Sequence, residues 1–502
     1  MSMIIDKHYY YELTKELEPI ESGTSLHVHG EIYKVGNEKI SLFWNISSKS
    51  LAPDEVEVEP WVEPILERTL SSELTGWANQ HLVNKKVLVK GWVSQFRELK
   101  KMSFLVLRDR EGYCQIVIPK ELSIPLLSET VVEIIGTLKL EPQCKYGGVE
   151  IIAEKINIIS EAAVLPFPIS REEGIPPFNT LNIFRPLTLR KEKERCIFKI
   201  QSEVINAYRE YMRSQGFIEI QSTKLSAAGL EGGADMFNID YFGEPMYLTQ
   251  SPQFYKQMMV GVYERVFEVG KVYRAEGSNT NKHLSEFVGF DFEMGFINSV
   301  EEVMEMEENA LNYIFRHING KCNKELEHLG VEIKANNVLS FLPFIPRIAY
   351  NKVVEILKSE YNFEFYGIGL NTEAERLIGE YAKTYFNSEF VFITEYPLSE
   401  RPFYAMPSDD GVSSETFELL YKGMEITSGG QRIHNYEQLC ESIKAKGLNP
   451  ENFESYLMPF KFGMPPHGGM GLGVERLLKQ MLGLQTADEA SLIPRTREKY
   501  IH

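Results

Sequence analysis

Residues 267–296, FEVGKVYRAEGSNTNKHLSEFVGFDFEMGF, constrain the fold more than any other stretch, because they hold two runs of period two joined by a polar loop. In the first run Glu268, Gly270, Arg274 and Glu276 share one face, and Phe267, Val269, Tyr273 and Ala275 share the other. The second run turns Phe290, Phe292, Met294 and Phe296 toward a core and leaves Phe287, Gly289, Asp291 and Glu293 opposite. The pattern predicts an antiparallel hairpin with one apolar and one charged face. Two glycines on the charged face leave room for a ligand to come close to the sheet. Taken alone, such a hairpin is equally consistent with a solvated edge carrying salt bridges.

A second segment changes that balance. Residues 468–484, GGMGLGVERLLKQMLGL, are glycine-rich and then helical, with Arg476 at the start of the apolar periodic run. Together the two stretches resemble motifs 2 and 3 of the class II aminoacyl-tRNA synthetases. The resemblance implies an α+β catalytic domain built on an antiparallel sheet flanked by helices. It implies ATP as a substrate, with Arg274 at its α-phosphate and Arg476 at its γ-phosphate.

Upstream of both motifs lie AAGLEGGADMFNIDYF and YLTQSPQFYKQ. Ser251 reads as an N-cap with Pro252 at the first helical position, which puts Gln253, Lys256 and Gln257 on one helical face. A Gln/Lys face is ordinarily a solvated one. QSPQFYKQ and the later SGGQRIH, however, resemble the aspartyl-tRNA synthetases, in which that lysine and that arginine bind the substrate's side-chain carboxylate. The likeness places those roles on Lys256 and Arg432, with Gln253 beside them. A carboxylate taken out of water requires such cations. The asparaginyl enzymes are similar in motifs 2 and 3 but lack the lysine.

The same resemblance assigns Glu231, in a mobile loop, and Asp291, on the sheet, to the α-ammonium group. Glu276 falls to the adenine amino group and His283 to the distal phosphates. Phe287 stacks the base, with Arg476 on its other side. Glu425 and Ser428, in KGMEITSGG, fall to Mg²⁺, a hard cation suited to oxygen donors.

The rest of the chain divides around these motifs. Residues 1–80 read as an extension without recognisable chemistry, in which SLHVHGEIYKVGNEKISLFW alternates like short strands about a Gly-Asn turn. Residues 81–162 carry five strand-like runs and a basic cluster (Lys85, Lys86, Lys90, Arg97, Lys100, Lys101), as an OB-fold barrel would. They are similar to the anticodon-binding domain of the class IIb synthetases. That likeness implies tRNA contacts at Phe104, Gln115 and Glu150, with Phe104 stacking a base.

Residues 163–190 are Pro-rich and read as a hinge, and 191–502 as the catalytic domain with a variable insertion at about 297–390. Ile197, Ile200, Val204, Tyr208 and Tyr211 mark an amphipathic helix ended by Gly216. With the following FIEIQSTKL it resembles motif 1, which implies a homodimer. Thr223 stands where the family has a proline.

Five scattered cysteines without a CxxC pair indicate neither a zinc site nor a disulfide framework. The absence of any apolar run long enough to span a bilayer, or of a basic leader, points to a cytoplasmic protein without membrane contact. A net charge of −18 argues against indiscriminate nucleic-acid binding and in favour of local patches. The function implied is aspartate–tRNA ligation with partners ATP, L-aspartate and tRNA(Asp). Charging of tRNA(Asn) as well, a duplicate synthetase serving toxin resistance or biosynthesis, and a catalytically silent tRNA-binding paralogue remain open at this point.

Overall fold

The computed structural model describes residues 26–35, 39–48, 66–74, 81–169, 178–226, 236–275, 280–331, 345–364 and 369–497. Strands β1 (Leu26–Val35) and β2 (Lys39–Ser48) form an antiparallel hairpin, and the Gly-Asn turn lies outside the described residues.

Strands β3 (Lys86–Glu98), β4 (Met102–Arg108), β5 (Tyr113–Pro119), β6 (Val131–Leu140) and β7 (Val149–Ser160) close into a barrel in the order β3-β4-β5-β7-β6. The period of two decides which residues fill it. Leu105, Leu107, Ile116, Ile118, Ile134 and Ile151 point inward and are buried, while their neighbours in sequence face outward. This is the five-stranded OB-type barrel expected of the segment.

Two sheets follow. Strands β8 (Ile218–Glu219), β9 (Leu225–Ser226), β10 (Asn238–Tyr241), β11 (Glu244–Leu248), β12 (Arg265–Tyr273) and β13 (Glu286–Gly295) precede β14 (Arg347–Ala349) and β15 (Phe390–Thr394). Then come β16 (Thr416–Tyr421), β17 (Met424–Arg432) and β18 (His467–Gly473). Strands β9 to β11 make a small separate sheet, and the other eight run β14-β15-β16-β17-β18-β13-β12-β8. That large sheet is antiparallel except at its two edge pairs, β14–β15 and β12–β8.

The β12–β13 hairpin is therefore interior, with β18 on one side and β8 on the other. Its register pairs Phe267 with Phe292 and Glu268 with Asp291, so as far as Met294 the two faces are those the alternation predicts, while Phe296, expected toward the core, lies beyond the strand at φ +59 and is exposed. The solvated-edge alternative is excluded: Glu268, Asp291 and Glu293 are all buried.

The helices Glu192–Ser214 and Glu301–Lys321 cover the apolar face. Ile197, Ile200, Val204 and Tyr208 recur on one side of the first helix and are buried against the sheet. Tyr208 stacks on Phe290 at 4.1 Å and donates its hydroxyl to the Asp291 carbonyl at 3.1 Å, which anchors the strand carrying Asp291. The chain leaves this helix through Gly216 at φ +80, a left-handed turn that favours glycine.

One further expectation differs from what is observed. In FIEIQSTKL the strand breaks after Ile218–Glu219 and resumes only at Leu225, in β9 of the small sheet, and Thr223 between them exchanges hydrogen bonds with the backbone of Leu225. Within residues 297–390, the helix Glu301–Lys321 contributes Val303, Met304, Leu311 and Phe315 to the central core, and β14 and β15 join the large sheet. Among the described residues no helix is long and apolar enough to cross a membrane.

Candidate functional site

The charged face of the large sheet opens into a cleft. Arg274 follows β12 directly, and its guanidinium lies over the ring of Phe287 at 5.4 Å. The antiparallel register makes this possible by pairing Val272 with Phe287. His283, in the connecting loop, shares a 2.6 Å hydrogen bond with Thr280. Arg274, His283, Phe287, Asp291, Glu425, Ser428 and Arg476 all line this one cleft, although their positions span 203 residues.

Arg476 stands in the first turn of the helix Val474–Leu482, which begins where the glycine run of β18 ends. Its Nη1 donates to the Glu425 carbonyl at 3.1 Å and to Glu425 Oε2 at 3.2 Å, and its Nε to the Lys282 carbonyl at 3.3 Å. Burial disfavours the Glu425 charge, yet Arg476 and Arg274 together hold this carboxyl below its usual range. An ionised Glu425 with the hydroxyl of Ser428 is a donor set that fits part of a hard-cation shell. Among the described residues no cluster of three or more His, Cys, Asp and Glu forms a complete metal cage. Further ligands have to come from a bound molecule or from water.

The other end of the site is a buried charge cluster. The helix Gln253–Tyr263 begins one residue later than predicted: Pro252 is the N-cap rather than the first helical residue, and Ser251 Oγ accepts the Gln253 N–H at 3.1 Å. Gln253, Lys256 and Gln257 do share one face, but that face is buried rather than solvated. Lys256 Nζ lies 3.0 Å from Asp291 Oδ1, 3.4 Å from Glu293 Oε2 and 2.7 Å from the Met470 carbonyl. Arg432 donates from Nε to Glu293 Oε1 at 2.9 Å and from Nη2 to the Gly469 carbonyl at 2.9 Å and Gln253 Oε1 at 3.3 Å.

Lys256 and Arg432 thus meet on one carboxylate, Glu293, which is 0% exposed. Burial works against the Glu293 charge, but Arg432 and Lys256 outweigh it and keep the carboxyl below its usual range. Two cations facing Asp291 and Glu293 balance in charge, as a buried cluster must. The glycines of β18 make the room. A Cβ at Gly469 would collide with the Glu293 carboxylate, and one at Gly471 would crowd Asp291. Behind the cluster His467 is kept neutral by burial, its pKa lowered to about 4, with Nδ1 on the Pro465 carbonyl at 2.8 Å and Nε2 facing the Gln257 amide at 3.0 Å.

Asp291 lines the cleft, and Lys256 and Arg432 lie behind it. The pocket that the resemblance implied between the two cations is closed by the protein's own carboxylates.

A second group of candidate residues sits on the barrel. The register pairs Phe104 with Val117, Val106 with Gln115 and Gln115 with Glu150, so Phe104, Gln115 and Glu150 share the outer face across three adjacent strands. Gln115 Nε2 donates to Glu150 Oε2 at 3.2 Å, and Arg97 pairs with Phe104 from β3. An aromatic ring, an amide, a carboxylate and a cation on one open barrel face suit a single-stranded nucleic acid.

Glu231 and Glu276 lie outside the described residues. Sequence reasoning gave Glu293 no role beyond a place on the polar face, and it passed over Lys282, Glu375 and Glu475. Glu475, next to Arg476, accepts the Val288 N–H on both carboxyl oxygens at 3.2 and 3.0 Å and ties motif 3 to β13. Burial pushes its carboxyl up to about 7.

Residues 179–497 match the family model of class II tRNA synthetases of the D, K and N type, and residues 87–159 match that of OB-fold nucleic acid binding domains. The chain is 43% identical over 418 residues to an aspartate–tRNA(Asp/Asn) ligase of Thermus thermophilus, covering 83% of this chain and 97% of that protein. It is 40% identical over 443 residues to an aspartate–tRNA(Asp) ligase of Pyrococcus abyssi, covering 86% and 98%. The fold is similar to that of Pyrococcus horikoshii asparaginyl-tRNA synthetase complexed with asparaginyl-adenylate, with a TM-score of 0.80 and 29% identity over 87% of this chain and 100% of that one. It is also similar to a putative aspartyl-tRNA synthetase of Leishmania major, with a TM-score of 0.77 and 30% identity over 89% and 97%.

Proposed function

Because this chain belongs to the class II tRNA synthetases of the D, K and N type, we propose that it is an aspartate–tRNA ligase that activates L-aspartate with ATP and esterifies tRNA with the product. The observation that carries the choice of aspartate is the meeting of Lys256 with Arg432 in a buried, charge-balanced cluster behind Asp291. Zwitterionic aspartate brings one ammonium and a second carboxylate. Asp291 turns to the ammonium and releases Lys256, whose charge then meets the side-chain carboxylate of the substrate next to Arg432. Glu231 closes on the same ammonium.

ATP lies in the cleft, its base on Phe287 and near Glu276, its α-phosphate at Arg274, its distal phosphates toward His283 and Arg476. Glu425 and Ser428 would hold Mg²⁺, which when bound neutralises phosphate charge. The α-carboxylate of aspartate attacks the α-phosphorus and pyrophosphate leaves, so no side chain has to act as a covalent nucleophile. Arg274 and Arg476 contribute by positioning and by meeting charge that develops in a site shielded from water. The 3′ hydroxyl of tRNA then takes the aspartyl group, with the barrel face at Phe104, Gln115 and Glu150 reading the anticodon. The enzyme acts in the cytoplasm as a homodimer through residues 191–225.

Charging of tRNA(Asn) alongside tRNA(Asp) is the second reading, favoured by the likeness to a relative named for both. Aminoacylation of unfractionated tRNA with labelled aspartate, followed by sequencing of the charged fraction, tests both. Aspartyl-tRNA(Asp) is the expected product, and aspartyl-tRNA(Asn) in addition selects the second reading. No aspartyl ester on any tRNA refutes the proposal.

A further inference from the structure

One buried ion pair at the cleft has no part in the steps above. Lys282, in the loop between β12 and β13, lies 2.8 and 3.1 Å from the two carboxyl oxygens of Glu375, in the helix Thr372–Phe386. The side chains are only 11% and 6% exposed. Glu375 Oε2 also accepts the backbone N–H of Glu425 at 3.3 Å. Lys282 in turn gives its carbonyl to Arg476 Nε, and Arg476 Nη1 returns to Glu425, so the four residues close a ring. Lys282, Glu425 and Arg476 line the cleft. Glu375 stands behind them and is bonded to the motif 2 loop and to β17 at once. A carboxylate serving only to fasten its helix to the sheet would need one of these bonds, at any point along the helix. Glu375 instead makes all of them to segments that carry cleft residues.

We propose that Glu375 is a positioning residue for the nucleotide half of the site, holding Lys282 at the cleft and fixing the backbone of Glu425 so that its carboxylate stays in register with Arg476. The role rests on the ATP-dependent activation proposed above. Its influence is confined to ATP, because Lys256, Asp291 and Arg432 share no bond with the ring.

The test is aspartate-dependent ATP–pyrophosphate exchange by the full chain carrying Glu375→Gln, Lys282→Met or both, together with the rise in melting temperature that ATP alone produces. Each single variant should raise KM for ATP roughly tenfold and leave KM for aspartate within about twofold, with the ATP-induced thermal shift reduced. The double variant should be no worse than either single one, since both break the same ring. Additive penalties, or KM for ATP and for aspartate rising together, would overturn the assignment. So would a lower melting temperature with both KM values unmoved, which marks a latch that serves only the fold. Wild-type protein inactive in exchange would sink the activation reading itself, whereas active wild type with an unmoved KM for ATP in the variants sinks only the role of Glu375.

Discussion

Lys256→Leu is expected to lose most of kcat/KM for aspartate in adenylate formation, roughly 3–5 kcal/mol or about 150- to 5,000-fold, and to shrink the preference for aspartate over asparagine. Lys256 is 1% exposed and stands between Asp291 and Glu293, so the leucine removes a charge from a dry site, takes the Lys256 ion pair from Asp291 and leaves Glu293 with Arg432. A site built for a charged partner rejects the neutral analogue strongly because the buried cation would go unpaired. Once Lys256 is gone, that penalty on asparagine disappears. Part of the loss will be structural, which is why the ratio of the two substrates is the decisive readout. Steady-state exchange with each amino acid gives it, and an unchanged Asp/Asn ratio in an active variant would place carboxylate recognition elsewhere.

Glu293→Gln is expected to destabilise the catalytic domain by roughly 3–5 kcal/mol, the usual cost of breaking a buried pair from one side. The amide keeps the shape of the side chain but leaves Lys256 and Arg432 facing each other with Asp291 as the remaining carboxylate. The pH dependence follows from the direction of the shift. The folded-state pKa of Glu293 is depressed, so its contribution is present in full above the ordinary carboxylate value near 4.5 and is lost as pH falls through the folded value. Urea melts at pH 7 should show the full gap between wild type and variant. Melts taken below about pH 4.5 should show the gap narrowing. A gap that stays constant into acid would mean that Glu293 acts through packing rather than through its charge.

The residues legible in advance are those whose signal is local. A period of two sorted the hairpin into its faces, and helical spacing put Gln253, Lys256 and Gln257 together, because both patterns depend only on neighbours in the chain. Burial of the charged face was not legible. It depends on β18, the neighbouring strand about 180 residues away, whose glycines stand beside Asp291 and Glu293 and leave room for their side chains. For Glu301–Lys321 helical periodicity identifies an apolar stripe but not the sheet that covers it. The Lys282–Glu375 pair left no trace at all, since its members are 93 residues apart and each sits in a stretch that reads as ordinary solvated helix or loop.

The start of the helix at Gln253 differs by one residue for a physical reason. Ser251 does accept a backbone N–H, as an N-cap should, but it does so as a turn ahead of Pro252, and the first helical bond closes from Lys256 to the Pro252 carbonyl.

Lys256 and Arg432 fit this site to aspartate, and ATP–pyrophosphate exchange by the wild-type protein in the absence of tRNA reads that fit without any contribution from the barrel. Exchange that depends on L-aspartate, with asparagine poorer by on the order of 10⁴-fold, is the predicted result. Exchange driven equally well by asparagine, or absent with aspartate at every Mg²⁺ concentration, would contradict it.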